Sequence, residues 1–452
     1  MPSPDLSADG SRNPMIVPDH PTTVGPPPGA VTPPARRKGM SLGRFLSILG
    51  PGLITGAADD DPSGIATYSQ TGAQFGFGQL WTALWMLPMV IAVQEACGRI
   101  GSVTGRGLSA NIRSRYGPHV LRGIAILLTL ANTINIGADL GAMGESAALV
   151  IHIKPWILMV AFAAVILVAE INISYRRYSR VLKWLTVSVL AYAVTAFLVH
   201  APWGTVLRAT FIPHISFDST FLYVITAVIG TTISPYMFFW QTSQEVEETR
   251  GRGGRRPLAN LRTDNAVGMI ASQLTAWFII VVTGDVLHGA GVTTVRSAAD
   301  AAKALVPLVH GFPYAGEFAQ GLFALGVVSL GLLAVPVLTG STSYALAEAR
   351  GKPEGLDLKP REGRYFYGVI ATSVIIGLLL NLLGVDPFKA LVFAAVFNGV
   401  AAVPLIWIIG RIAADPAVMG AEKSGPLSRA VVGVTFVGMA ASVVLLAVSY
   451  VK

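Results

Sequence analysis

Three consecutive carboxylates stand in the middle of a long apolar stretch. They are Asp59, Asp60 and Asp61, and Pro62 follows them directly. Carboxylate oxygens are hard ligands that suit Mg²⁺, Ca²⁺ and Mn²⁺. Because no Lys or Arg occurs from residue 45 to residue 98, a cation from solution is the natural counter-charge. The pattern predicts a cation site with Asp61, the residue at the proline, as its first ligand and with Asp59 and Asp60 as secondary candidates.

The composition indicates the environment of these carboxylates. The chain has 452 residues, of which 52% are hydrophobic and 13% are charged, against about 25% charged residues in an ordinary soluble domain. Apolar runs of about 20 residues recur along it, as is typical of polytopic helical membrane proteins. This composition excludes a soluble enzyme and a secreted disulfide scaffold, and the one cysteine, Cys97, cannot form an internal disulfide bond.

Eleven apolar stretches predict an all-α membrane protein with eleven transmembrane helices, numbered here as spans 1 to 11. They cover residues 43–78, 79–97, 121–150, 155–173, 180–200, 218–246, 265–288, 316–345, 365–384, 387–410 and 430–450. A proline interrupts span 1 after Asp61 and span 6 after Ser234. Unwound backbone at membrane depth survives only where it lines a cavity or is buried in protein.

The two interruptions stand at matching places in two halves of the chain. Paired interrupted helices of this kind indicate a transporter site within an inverted repeat. We therefore predict a first five-helix repeat at 41–200, a second, inverted one at 215–410, and an appended eleventh helix at 430–450.

Lys and Arg residues predict the orientation. With the amino terminus inside, the inner segments hold 27 of the 33 basic residues, which is the asymmetry expected of cytoplasmic loops. Residues 1–40 contain ten prolines and few large apolar residues, so we expect a disordered cytoplasmic tail. The expected location is the cell membrane, with the carboxyl terminus extracytoplasmic.

Both interruptions offer further oxygen ligands. Unwinding exposes backbone carbonyls, such as those of Ala58 and Thr231, and the hydroxyls of Ser63, Thr232 and Ser234 lie beside them. The alternative is that the Asp and Ser residues only cap the second half-helix. One acidic residue would be enough for capping, whereas three are present.

The motifs of spans 1, 2 and 6 resemble the Nramp family of divalent-metal transporters. Its opening pattern of Gly-Pro-Gly, Asp-Pro-Gly-Asn-x-Ala-Thr and Val-Thr-Gly-Arg is similar to Gly50-Pro51-Gly52, to 61–67 and to Val103-Thr104-Gly105-Arg106. Span 6 matches again, with 230–237 against the family's Gly-Ala-Thr-Val-Met-Pro-His-Asn. The resemblance implies a LeuT-type fold, with broken helices 1 and 6, and transport of a divalent cation as substrate rather than a bound cofactor.

Departures from the family pattern bear on the ion. The family's Asn falls on Gly64, its carbonyl-ligand Ala on Thr231, its thioether Met on Ser234 and its His on Tyr236. A thioether favours transition metals, whereas Mg²⁺ gives up its water reluctantly and suits a roomy oxygen site. The pattern resembles the Nramp-related magnesium transporters and predicts Mg²⁺, with Mn²⁺ also carried.

Proton coupling is predicted to be absent. Proton relays through membranes use Asp, Glu and His, and all seven histidines fall in the tail, in loops or near span ends. Asp139 is similar to one acidic residue of the family's proton path, but neighbouring positions hold Asn132 and Ala142. Asp139 is then a hydrogen-bonded packing residue or a remnant of the path, and Asn398 is a ligand, a water holder or an interhelical contact.

Other functions are less consistent with the sequence. The first alternative is a proton-coupled Mn²⁺ or Fe²⁺ importer of the ordinary family type. A sodium-coupled amino-acid carrier is disfavoured, because the Asp triplet would repel the carboxylate of its substrate. An intramembrane enzyme would need a nucleophile–base pair or a motif such as His-Glu-x-x-His, and neither occurs. The expected partners are divalent ions and the lipid bilayer. No feature indicates a nucleic acid or an obligatory protein partner.

Overall fold

The computed structural model describes residues 49–173, 190–199, 201–309, 314–381 and 383–451. Residues 46–452 form one compact unit. Throughout the described ranges, regular structure is entirely helical. The helices of the first half are α1 (Pro51–Asp59), α2 (Pro62–Phe75), α3 (Trp81–Thr104), α4 (Leu108–Ile151), α5 (Pro155–Asn172), α6 (Leu190–Leu198) and α7 (Trp203–Phe211). Those of the second half are α8 (Ser219–Thr232), α9 (Pro235–Arg252), α10 (Leu258–Thr283), α11 (Ala298–Ala302), α12 (Ala315–Ala349), α13 (Arg364–Asn381), α14 (Pro387–Ala414), α15 (Pro416–Met419) and α16 (Pro426–Ser449).

Nine of the predicted spans are confirmed as helical segments long and apolar enough to cross a membrane, counting α8 and α9 together and judging only the described residues. Span 1 consists of α1 and α2, whose 9 and 14 residues are each too short to cross alone. Of span 5, only α6 is described. The predicted tail and residues 174–189 lie outside the described ranges.

Several boundaries differ from their predictions. Spans 2 and 6 were expected to end at 97 and 246, but α3 and α9 extend to Thr104 and Arg252, and α10 begins at Leu258 rather than at 265.

The largest difference is in span 3. Span 3 was expected at 121–150, but α4 begins at Leu108 and bends at Gly117, whose φ of 82° and ψ of 176° are not helical. Glycine adopts positive φ without strain, and Pro118 behind it disfavours a continuous helix. Residues 108–116 therefore form a separate helical arm of α4 before the transmembrane part.

The first halves of both broken spans pack through glycine. A Cβ atom at Gly56 of α1 would lie 2.3 Å from the Gly268 carbonyl oxygen of α10. A Cβ atom at Gly230 of α8 would lie 2.0 Å from the Ala395 carbonyl oxygen and 2.5 Å from the Gly399 backbone nitrogen of α14. Small residues allow this close backbone approach between membrane helices, so α1 and α8 are held against neighbours at matching positions.

Asp264 of α10 holds the amino end of α1. Its carboxylate accepts hydrogen bonds from the backbone nitrogens of Gly50, Gly52 and Leu53 at 2.8, 2.9 and 3.0 Å. Arg256 donates to the same carboxylate at 2.9 Å. A negative charge is favoured at the amino end of a helix, where backbone donors lack partners. This contact fixes the position of α1 relative to α10.

We expect Gly56→Ala to lower the free energy of unfolding by about 1–3 kcal/mol, because the added methyl group overpacks a backbone contact. Gly368→Ala on α13 is the matched control, since nothing lies within 4 Å of a Cβ atom there. Exchanging a helical glycine for alanine at an open site should stabilise by up to about 1 kcal/mol. Denaturant titration of both purified variants measures the difference, and equal effects would contradict the packing described here.

Candidate metal-binding site

Both spans are interrupted in the same way. Two residues, Asp60 and Asp61, separate α1 from α2, and two others, Ile233 and Ser234, separate α8 from α9. Asp61 and Ser234 are each the extended residue before a proline that begins the next helix, because proline disfavours helical geometry in the residue before it. The predicted interruptions are confirmed, and Asp61 and Ser234 occupy equivalent positions in them.

Asp61 is buried, and only one of its two carboxylate oxygens accepts hydrogen bonds from the described residues. Oδ1 accepts hydrogen bonds from Ser63 Oγ at 2.6 Å and from the Gly64 backbone nitrogen at 2.7 Å. Oδ2 is also buried, and no atom of the described residues hydrogen bonds to it. Capping of α2 therefore occupies one oxygen and leaves the other available to a ligand.

Ser63 and Thr231 bring the two breaks together. Their hydroxyl oxygens lie 3.2 Å apart, and both residues are buried. A second link joins the breaks, because the Tyr236 hydroxyl donates to the Ala58 carbonyl oxygen at 3.1 Å and also lies near the Asp61 carboxylate. The residues predicted from spans 1 and 6 thus meet at one place.

Ser234 and Thr232 face other partners. The Ser234 hydroxyl lies 2.7 Å from the Gly230 carbonyl oxygen and 2.8 Å from that of Thr231, as a donor. Thr232 Oγ1 donates to the Val228 carbonyl oxygen at 2.8 Å and lies 2.9 Å from the Tyr68 hydroxyl. Each hydroxyl and carbonyl oxygen retains a lone pair, so these groups, with the carbonyls of Ala58 and Thr231, stay candidate ligands.

Asp59 and Asp60 face α10 rather than the second break. Ser272 of α10 donates to Asp59 Oδ2 at 2.5 Å, and its oxygen lies 3.3 Å from Asp60 Oδ1. Both side chains are buried. They are therefore held by a different helix from the one that meets Asp61 at the second break.

Asp139 and Asn398 are the other buried polar residues that the sequence singled out. Neither oxygen of Asp139 and neither amide atom of Asn398 has a hydrogen-bond partner among the residues that the structure describes. Asp139 interacts electrostatically with Asp61, and Asn398 adjoins Gly399, which contacts Gly230 at the second break. Asp139 also lies near the Ser63 backbone nitrogen, so the packing role and the path role considered for Asp139 both stay predictions. Asn132 instead joins α4 to α12, by donating to Ser341 and Thr342 at 2.8 Å.

Sequence reasoning missed Tyr68 and Ser272. Tyr68 lies seven residues after Asp61, two helical turns along the same face of α2, so its spacing could have identified it. Ser272 carried no such signal, because only packing of α10 against α1 makes it the partner of Asp59. Within the described ranges, no three His, Cys, Asp or Glu side chains form a metal-ligand cluster.

The Asp59–Ser272 contact can be tested by a double-mutant cycle. We expect Ser272→Ala to lower the free energy of unfolding by about 1–3 kcal/mol, because it leaves a buried carboxylate without its donor. In an Asp59→Asn background the same change should cost less, because the amide carries no charge. Thermal or denaturant unfolding of the four proteins measures the coupling, and strictly additive costs would contradict the contact.

Comparison with known proteins gives a consistent result. The family model described as "Natural resistance-associated macrophage protein-like", named Nramp, matches residues 52–449. Two relatives are each 26% identical: the "Divalent metal cation transporter MntH 1" of Pseudomonas aeruginosa over 281 residues, and the "Divalent metal cation transporter MntH" of Caldanaerobacter subterraneus over 384. The first match covers 60% of this chain and 63% of the relative, and the second covers 80% and 84%.

Solved structures show the same fold. A crystal structure of the Eremococcus coleocola manganese transporter, in complex with an aromatic bis-isothiourea substituted compound, has a TM-score of 0.68 at 17% identity and covers 90% of this chain and 86% of its own. MhsT in complex with L-phenylalanine has a TM-score of 0.53 at 11% identity, covering 88% and 98%. The predicted LeuT-type fold is confirmed.

Proposed function

Because the chain belongs to the Nramp family, we propose that it is a multi-pass secondary transporter of divalent metal cations rather than an enzyme. The relatives reported above are named as divalent metal cation transporters. The observation that carries the proposal is the buried Asp61 Oδ2, which has no hydrogen-bond partner in the described part of the chain, beside the Ser63–Thr231 contact of 3.2 Å between the breaks. A site made where two interrupted helices meet is suited to alternating access.

In this proposal Asp61 Oδ2 is the anionic ligand, and the neutral ligands come from both breaks. The candidate neutral ligands are linked to Asp61 by the contacts between the breaks. They are the carbonyls of Ala58 and Thr231 and the hydroxyls of Ser63 and Thr231. The carbonyls at the carboxyl ends of α1 and α8 carry the negative ends of the helix dipoles, which favour a cation. Asp59, Asp60 and Asp139 add negative charge around the ion without serving as its first ligands.

We further propose Mg²⁺ as the preferred substrate, with Mn²⁺ also carried. The ligands available around Asp61 are oxygens, and Ser234 is a hydroxyl donor to backbone carbonyls at the position where the family has a thioether. Hard oxygen ligands suit Mg²⁺ and Mn²⁺ and give no advantage to softer metals. A partly hydrated Mg²⁺ needs few protein ligands because it keeps several waters.

Uncoupled flux is the proposed mode of transport. The membrane potential favours inward movement of a divalent cation by about 4.6 kcal/mol per 100 mV. Inward here means toward the cytoplasm, the side on which the amino terminus is predicted to lie. The second candidate is proton-coupled import of Mn²⁺ or Fe²⁺. It is favoured by Asp139, a buried carboxylate close to Asp61 that has no hydrogen-bond partner among the residues described.

Flux into proteoliposomes tests the proposal. Mg²⁺, Mn²⁺ and Ca²⁺ are offered separately, with a pH dye inside. Asp61→Asn keeps the shape of the side chain and an acceptor for Ser63 and Gly64, so we expect it to fold and to lose Mg²⁺ uptake at least tenfold, which corresponds to about 1.4 kcal/mol. Asp300→Asn, in an exposed ion pair with Lys303 at the short helix α11, is the control.

Mg²⁺ uptake without acidification in the native protein supports the uncoupled proposal. Mn²⁺ uptake with acidification and no Mg²⁺ signal would select the proton-coupled importer instead. Full Mg²⁺ uptake by Asp61→Asn would contradict the assignment of the ligand.

Ser234→Met should change the selectivity. The thioether is a soft ligand, and its introduction also removes the hydroxyl from the Thr231 carbonyl. We expect Cd²⁺ and Mn²⁺ to compete more strongly with Mg²⁺ than they do in the native protein. Ser234→Leu, of similar size but without sulfur, is the control. Equal competition in both variants would show that volume rather than ligand type decides selectivity.

A further inference from the structure

A groove lies between α4, α14 and α16, far along the chain from either break. Its volume is about 530 Å³, within the range of about 300–1,000 Å³ that is usual for ligand sites. Its walls are apolar: Val120 and Ile124 of α4, Trp407 and Ile408 of α14, and Phe436 of α16. Gly123 leaves the space open, since nothing lies within 4 Å of a Cβ atom built there.

The bend in α4 accounts for the groove. The positive φ of Gly117 turns the arm 108–116 away from the transmembrane part of α4, and the groove residues begin three positions later at Val120. Beyond the groove the arm returns to α14, where the rings of Tyr116 and Trp407 are 5.9 Å apart and Arg115 Nε lies 3.0 Å from Asp415 Oδ2. The contacts of the arm with Trp407 and Asp415 thus bound the groove at this end.

Basic side chains stand at the same end. Arg411 lies four residues after Trp407 on α14, and therefore one turn further along the same face. Arg429 lies in the first turns of α16, seven residues and two turns before Phe436. Both are exposed, and both belong to the segments that the sequence predicts to be inner, which hold most of the Lys and Arg residues. Trp407, which is 47% exposed, has the position of an interfacial aromatic residue.

We propose that this groove binds an anionic phospholipid. An acyl chain occupies the apolar space between α4, α14 and α16, and the phosphate binds Arg411 and Arg429, whose guanidinium groups match phosphate oxygens. Charge complementarity distinguishes this occupant from a zwitterionic lipid, because basic residues at a membrane surface attract anionic headgroups. The bound lipid contacts α4 and α14, the helices that carry Asp139 and Asn398.

Native mass spectrometry of the purified full-length chain in detergent tests the proposal, with phosphatidylglycerol and phosphatidylcholine added at equal ratios. We expect the native protein to retain phosphatidylglycerol at least fivefold better. Gly123→Leu fills the groove and should lose that retention at least fivefold. Gly368→Leu, another exposed helical glycine with open space around it, is the matched control and should bind as the native protein does.

Arg411→Gln combined with Arg429→Gln should remove the preference for phosphatidylglycerol while retaining some binding of both lipids. This variant changes only exposed side chains, so it remains informative if Gly123→Leu does not fold. Native-like retention in Gly123→Leu, or an unchanged preference in the arginine variant, would overturn the proposal. A dimer that disappears in Gly123→Leu would assign the groove to a second copy of the chain and overturn it equally. The readout is binding, so it is independent of transport.

Discussion

A carboxylate at bilayer depth is the constraint on which the arrangement around the two breaks depends. An ionised Asp there costs several kcal/mol unless a partner or a cation compensates for it, and backbone groups freed by unwinding must also find partners. Asp61 partly meets both requirements, because its Oδ1 accepts hydrogen bonds from the Ser63 hydroxyl and from the Gly64 backbone nitrogen. Its other oxygen has no hydrogen-bond partner in the described ranges, and in the proposed function this oxygen binds the cation.

Neighbouring helices hold the first halves of both broken spans in place. Glycine contacts place α1 against α10 and α8 against α14, and Asp264 anchors the amino end of α1. Between the two broken spans, the described links at the breaks are hydroxyl contacts: Ser63 with Thr231, Tyr236 with Ala58 and Tyr68 with Thr232. Contacts of about 1 kcal/mol each can be exchanged for ion ligands or for water, which is what a transporter site must do in each cycle.

Sequence patterns predicted the fold and the breaks because proline and glycine act locally. The extended geometry of Asp61 and Ser234 follows from Pro62 and Pro235 alone, and membrane thickness sets the length of most spans. What the sequence could not predict depends on packing. Ser272 pairs with Asp59 only because α10 lies against α1. The Ser234 hydroxyl could have faced Asp61, but it donates to carbonyl oxygens of α8. The sequence also did not predict the arm of α4, which extends the helix by more than one turn beyond its apolar stretch.

The central claim is that both breaks contribute ligands to one divalent cation. Anomalous diffraction from crystals of the protein soaked in Mn²⁺ tests it most directly, because the ion is located without reference to transport. The account predicts one anomalous peak about 2.1 Å from Asp61 Oδ2, with an oxygen ligand from Thr231 or its neighbours. A peak that contacts Asp59 and Asp60 alone, or no peak between α1 and α8, would contradict it.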